Sequence, residues 1–209
     1  GRHVAHYSGA YRAGEAPPPA RMGRQLRGAT IGIVGHGAIG AYLADLALAL
    51  GMRVLVHDPY KTVAPPLVQS AFEALLSEAD FVVPLAVANE ETENLIGAAA
   101  LARMKPTAWL VNASRGNLVD EAALEAALDA RRIAGAALDV GRAPDQMPSP
   151  HLARRADVIA TPHIAGLTPE AIEHQALETA RQAAALIRGE VPPGAVNADT
   201  ATKLARLKR

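Results

Sequence analysis

Three glycines and an aspartate make the first chemical case in this sequence. Gly35, Gly37 and Gly40 stand in the Gly-x-Gly-x-x-Gly spacing, and Asp58 follows eighteen residues after the last of them. In such a motif Gly35 allows a tight turn, Gly37 lets the backbone approach a pyrophosphate, and Gly40 permits close packing of a helix on a strand. The N–H groups and positive dipole end of a helix opening there would hold a diphosphate. Asp58 would accept hydrogen bonds from the adenosine ribose hydroxyls. The blander alternative is a tight strand-to-helix turn with Asp58 capping a loop.

Context separates the two readings. Ile31 to Val34 is a short β-branched run of the kind buried in a parallel sheet, and Ala41 to Leu50 are strong helix formers with Gly51 where a helix would stop. Val54 to Val56 then closes in His57-Asp58. A glycine motif between a strand and a helix, with an acid closing the next strand, is a specific signal. Three further residues with chemistry of their own, Arg115, Asp139 and His163, also follow predicted strands directly. Singly, Arg115 could be a loop ion-pair partner, Asp139 a turn former and His163 a core histidine. Ligands of open parallel sheets bind beyond the carboxyl ends of the strands, so the shared placement favours a site.

The elements that must position these residues alternate. After Asp58 a loop covers Lys61 to Pro66, and a helical stripe runs from Leu67 to Glu78 through Val68, Phe72, Leu75 and Leu76. Strands are expected at 81–83, 108–111, 133–138 and 158–160, with a solvated loop at 89–94 and a short helix at 98–103. Asp120 can cap a helix from Glu121 to about Ala130, and a proline-rich loop spans Gly141 to Pro150. The last helix, about Pro169 to Arg188, puts Ile172, Ala176, Ala180, Ala183 and Ile187 along one face before Gly189 ends it. This pattern predicts an α/β fold, a doubly wound parallel sheet of Rossmann type with a flanking arm and a C-terminal helix. The expected divisions are an arm or linker over 1–24, a dinucleotide-binding domain over 25–167, a helix over 168–191 and a tail over 192–209.

Composition narrows the function further. Lys plus Arg and Asp plus Glu both number 21, and aromatic residues are 3 %, so neither charge nor stacking platforms point to nucleic acid. With no cysteine there is no disulfide framework, thiolate metal site or cysteine nucleophile. No apolar run reaches the roughly 18 residues needed to span a bilayer. Gly1-Arg-His carries neither a methionine nor a signal core, which reads as a break in a longer chain.

With these residues in place, the chain resembles the D-isomer-specific 2-hydroxyacid dehydrogenases. The resemblance rests on Gly32 to Gly40, Gly51-Met-Arg-Val with Asp58 soon after, and Asn112-Ala-Ser-Arg-Gly with Leu118-Val-Asp. It also rests on Ile133 to Val140 and Thr161-Pro-His-Ile-Ala-Gly166, and it runs from about Gly23 to Asn197. It implies NAD as cofactor, a small 2-oxo or 2-hydroxy acid as substrate, and a cytoplasmic homodimer without nucleic-acid or membrane partners. Ala38 and Ile39 would lie against the pyrophosphate. Ala113, Ser114, Arg115, Asp139, His163 and the segment to Gly166 would surround the nicotinamide. Arg115 would clamp the substrate carboxylate and carbonyl through its planar fork, and His163 would be the general acid and base.

Two departures from the family pattern stand out. The N-terminal substrate lobe of the family is not in this chain, so binding of NAD without appreciable turnover is expected of it alone. The family's catalytic glutamate falls on Pro144, and the nearest carboxylate is Asp145. Either the Asp145 carboxylate partners His163 through a shifted loop, stabilising the imidazolium and fixing its tautomer, or His163 works without a carboxylate. An NAD-sensing scaffold like the co-repressors of this fold, or an inactive NAD-binding fragment, are the competing functions.

Overall fold

Strand β1 (Thr30–Val34) is buried along its whole length, and the fold is built outward from it. The computed structural model describes residues 4–14, 23–193, 195 and 198. β1 pairs in parallel with β2 (Arg53–His57) on one side and with β4 (Phe81–Pro84) on the other. β2 continues to β3 (Val68–Gln69), while β4 leads through β5 (Trp109–Asn112) and β6 (Gly135–Leu138) to β7 (Val158–Ala160). The sheet is therefore all parallel, in the order β3-β2-β1-β4-β5-β6-β7. Its winding reverses at β1, which opens a crevice between the carboxyl ends of β1 and β4.

Alternation along the strands sorts the core onto two faces. Ile31, Ile33, Val54, Val56 and Val83 pack with Ala44 and Ala47 of α2 (Ala38–Ala49). Leu55, Val82, Leu110, Ala136 and Leu138 face the other way. There they meet Leu75 and Leu76 of α3 (Phe72–Glu78), Leu101 of α4 (Ala98–Arg103), Leu124 and Leu128 of α5 (Glu121–Asp129) and Leu152 of α6 (Pro150–Ala153). Helices thus cover both faces, which is the doubly wound Rossmann-type arrangement read from the sequence. Asp120 caps α5 by accepting from the Ala123 N–H at 3.0 Å.

At the amino ends of the strands, buried Asp80 accepts from the Thr30 N–H (2.9 Å), from Lys105 (3.2 Å) and from Arg24 (2.7 Å). Burial alone would raise the pKa of this carboxyl, but those three donors outweigh it and hold the pKa below the ordinary value. The latch ties the segment entering β1 to the underside of the sheet.

Some local expectations change. Val68 and Gln69 form a strand rather than the first turn of a helix, because they find β2 as a partner and the Ser70 N–H donates to the Val56 carbonyl at 2.8 Å. The helix begins only at Phe72. The expected arm contains a helix, α1 (Val4–Arg12), despite its lack of apolar periodicity, while the Pro17–Pro19 run lies outside the described residues. The loop at 89–94 holds a 3₁₀ turn (Glu90–Thr92) closed by a reciprocal Asn89–Thr92 cap.

The chain divides into two units, Gly1–His163 and Ile164–Arg209. The second contains α7 (Pro169–Ile187), capped by Thr168 Oγ1 accepting from the Ala171 N–H at 3.1 Å. Its Ile172, Leu177 and Ile187 are exposed, and only Ala185 is buried. The tail beyond Pro193 lies outside the described residues apart from Ala195 and Ala198. Among the described residues no helix is long and apolar enough to cross a membrane.

Candidate active site

The glycine turn is built as the spacing requires. Gly35 follows β1 with φ +101°, and a Cβ there would lie 2.6 Å from the Ala86 nitrogen, just past the end of β4. A Cβ on Gly40 would collide with the Gly35 carbonyl, so α2 approaches the strand as closely as a backbone can. A Cβ on Gly37 would meet nothing within 4 Å. Gly37, Ala38 and Ile39 are exposed, and the Gly37 cap brings no side chain to the first turn of α2. The free N–H groups of that turn are therefore open to an anion, which fits a diphosphate.

Asp58 follows β2, beside this turn. It accepts from the His36 N–H at 2.7 Å and from the Tyr60 N–H at 2.9 Å. Burial alone would raise its pKa. The N–H groups of His36, Tyr60 and Lys61, with the Lys61 charge, outweigh that and hold the carboxyl below its ordinary value. A carboxylate has about four lone-pair sites, so these N–H groups leave it room to accept from a ribose hydroxyl. Lys61 donates to the His36 carbonyl at 3.1 Å, which turns the nearest cation towards the backbone.

Register carries the same edge across the sheet. Val34 is level with His57 and Pro84, and Asn112 is level with Leu138, which is level with Ala160. Gly35, Asp58, Ala113, Asp139 and Thr161 each come next, so they line one edge. Arg115 follows two residues after Ala113, held by a side chain that sequence reading passed over. Asn112 is 1 % exposed; its Nδ2 donates to the Arg115 carbonyl (2.9 Å) and its Oδ1 accepts from the Ser114 N–H (3.1 Å). The buried amide thus fixes the turn while the Arg115 side chain stays exposed. Beside Arg115 opens a cavity of about 400 Å³, walled by Asn117, Arg142 and Gln146 among others.

Asp139 is buried and accepts from the Thr161 hydroxyl at 2.6 Å. Its carbonyl accepts from the His163 N–H at 2.9 Å, which anchors the histidine to the end of β6. His163 is half-buried, with φ +53°. Its ring Nδ1 lies 2.8 Å from the main-chain carbonyl oxygen of Asp145. The expected contact with the Asp145 carboxylate is not what the geometry provides. Asp145 has φ +58° and ψ +23°, and in that left-handed conformation its carbonyl, rather than its exposed side chain, meets the imidazole. Gly166 belongs to the second unit.

Two more residues brace this loop and left no signal in the sequence, because their contacts are distant along the chain. The Arg142 guanidinium donates to Asn94 Oδ1 (2.5 Å), the Asn117 carbonyl (3.0 Å) and the Val119 carbonyl (3.2 Å), and pairs with Glu93 (2.8 Å). Glu121 accepts from the Arg142 N–H at 2.9 Å and from the Ser149 hydroxyl. A larger cavity of about 760 Å³ runs along β7 near α1, but it holds none of the candidate residues, and Arg155 in its wall is already paired with Asp129 and Asp157. Among the described residues no group of acids and histidines could hold a metal ion.

Residues 1–165 match the family described as D-isomer specific 2-hydroxyacid dehydrogenase, NAD binding domain. The (S)-sulfolactate dehydrogenase of Chromohalobacter salexigens is 44 % identical over 169 residues, covering 77 % of this chain and 54 % of that protein. A glyoxylate reductase of Korarchaeum cryptofilum is 41 % identical over 189 residues, covering 86 % and 55 %. The crystal structure of a D-lactate dehydrogenase with NAD+ from Lactobacillus jensenii superposes with a TM-score of 0.80 at 32 % identity, over 92 % of this chain and 63 % of that one. The chain spans about half the length of these two curated relatives. It belongs to the D-isomer-specific 2-hydroxyacid dehydrogenase family, through its NAD-binding domain.

Proposed function

We propose that this chain is the cofactor half of an NAD-dependent oxidoreductase that interconverts a 2-oxo acid and a 2-hydroxy acid. The observation that supports the reading is the single sheet edge shared by the uncapped start of α2, the Asp58 carboxylate, the exposed Arg115 and a His163 whose Nδ1 meets a main-chain carbonyl. NAD, when bound, supplies or accepts the hydride. The first turn of α2 would hold its diphosphate and Asp58 its adenosine ribose. Arg115 would grip the substrate carboxylate through two parallel N–H groups and polarise the carbonyl beside it. His163 would give a proton to the carbonyl oxygen in reduction and take it back in oxidation.

We further propose a homodimer. Supporting it, Tyr42 and Leu46 on the outer line of α2 and Leu50 at its C-cap stand four residues apart and are 68 %, 46 % and 55 % exposed. Gly40, Ala44 and Ala47 of this helix face the sheet with Leu43 and Leu48 packed beside them, while Tyr42 and Leu46 face outward, a pattern that fits an interface.

The functional reading is tested by offering a panel of 2-oxo acids with NADH to the full-length protein. Reduction of at least one of them is expected. Tight NAD binding with no turnover across the panel would instead point to an NAD-sensing scaffold.

A further inference from the structure

The contact between His163 and Asp145 has a strict chemical consequence. A carbonyl oxygen can only accept a hydrogen bond, so Nδ1 of His163, 2.8 Å from the Asp145 carbonyl, must carry hydrogen. Nε2 is then the ring nitrogen left to exchange a proton. Geometry of this kind does not arise by default. Asp145, Gln146 and His163 all have positive φ, at 58°, 57° and 53°, a left-handed conformation uncommon for residues other than glycine. Something must hold them there.

The loop from Gly141 to Ser149 supplies the hold. Its ends are closed by the Gly141 N–H donating to the Gln146 carbonyl (2.8 Å) and the Ala143 N–H donating to the Met147 carbonyl (3.0 Å). Arg142 ties one shoulder to the 93–94 and 117–119 segments, and Glu121 gathers Arg142 and Ser149 on one carboxylate. Resting on the dehydrogenase reading above, we propose that the Asp145 main-chain carbonyl, aimed by this clasp, orients His163 in place of a carboxylate. Arg142 and Glu121 are then positioning residues for the proton-transfer step. What residue 145 must supply is a backbone conformation, and its negative charge is secondary.

Variants of the full-length protein separate conformation from charge. Asp145→Asn removes the charge but keeps a residue that tolerates positive φ, whereas Asp145→Val keeps the carbonyl but opposes that conformation. Asp145→Val is expected to lose at least tenfold more kcat than Asp145→Asn. Arg142→Met, which unties the shoulder, should lower kcat about tenfold with little change in NAD affinity. The ¹⁵N signals of the His163 ring report the tautomer independently of turnover, and the Nδ1–H form should persist in Asp145→Asn and give way to a mixture in Asp145→Val. Equal large losses of kcat in the two Asp145 variants, or loss of the Nδ1–H form in Asp145→Asn, would overturn the proposal. If the wild type reduced no 2-oxo acid, the functional reading would fail, and the tautomer measurement would still decide this one.

Discussion

Gly116 packs against the carbonyl of Gly141 so closely that a Cβ on Gly116 would collide with it. The contact joins the loop that presents Arg115 to the loop that presents the Asp145 carbonyl to His163. One backbone-to-backbone junction thereby couples the positions of Arg115 and His163, and with them the substrate grip and proton transfer proposed for these two residues. Gly116→Ala must push the loops apart, and displacements of about 1 Å at an active site cost on the order of a hundredfold in rate. Turnover by the full-length variant should fall at least tenfold while NAD affinity, measured by calorimetry, changes less than threefold. An unchanged rate would show that the two loops move independently.

Asp58 should make the chain prefer NAD to NADP. A 2′-phosphate would face a carboxylate that its backbone donors keep ionised, and like charges so placed cost several kcal/mol. NAD is expected to bind at least tenfold more tightly, about 1.4 kcal/mol, and Asp58→Ala should narrow the gap. Because the folded pKa of Asp58 lies below its ordinary value, this preference should hold steady from pH 8 down to about pH 5. Equal affinities for the two cofactors at moderate salt would remove Asp58 from this role.

Asp80 carries a stability prediction with no functional component. Its folded pKa lies below the unfolded one, so its contribution is complete above about pH 4 and fades as the pH drops through the folded value. Asp80→Ala leaves the Thr30 N–H and two cations without their acceptor, which should lower unfolding free energy by about 2–3 kcal/mol near neutrality. Denaturant titrations of both proteins should show this difference constant from pH 8 to 5 and shrinking below pH 4. A difference that grew as the pH fell would contradict the latch.

How much of this was legible in the sequence depends on how local each cause is. β1, β2 and β4 to β6 show as short apolar runs because a strand covered on both faces has little room for polar residues, and β7 is also an apolar run although its Ile159 is exposed. The strand ends align because the sheet is wholly parallel, so the candidate edge could be read from the placement of Gly35, Asp58, Arg115, Asp139 and His163 after predicted strands. Val68 and Gln69 could not be read as a strand, since pairing with β2 decides it. Nor could the conformation of Asp145. The letters show a carboxylate near the expected place, while the turn that sends the carbonyl inward depends on Arg142, Glu121 and residues more than twenty positions away. Asn112 was visible within a quoted motif, but its work inside the turn was not.

The outer line of α2 can be tested apart from chemistry. Leu46→Glu combined with Tyr42→Asp should convert a dimer to a monomer in sedimentation, with NAD binding per chain retained. A dimer that survived both changes would place its interface elsewhere.

The most direct measurement is NADH-linked reduction of 2-oxo acids by the full-length protein beside its Arg115→Lys variant. Lysine keeps the charge but not the planar fork, so kcat/KM should fall by at least a hundredfold, about 2.7 kcal/mol, while NAD affinity is kept. Wild-type turnover with that loss is the expected result. A variant as active as the wild type, or a wild type that binds NAD and reduces no 2-oxo acid, would contradict the function assigned to this edge of the sheet.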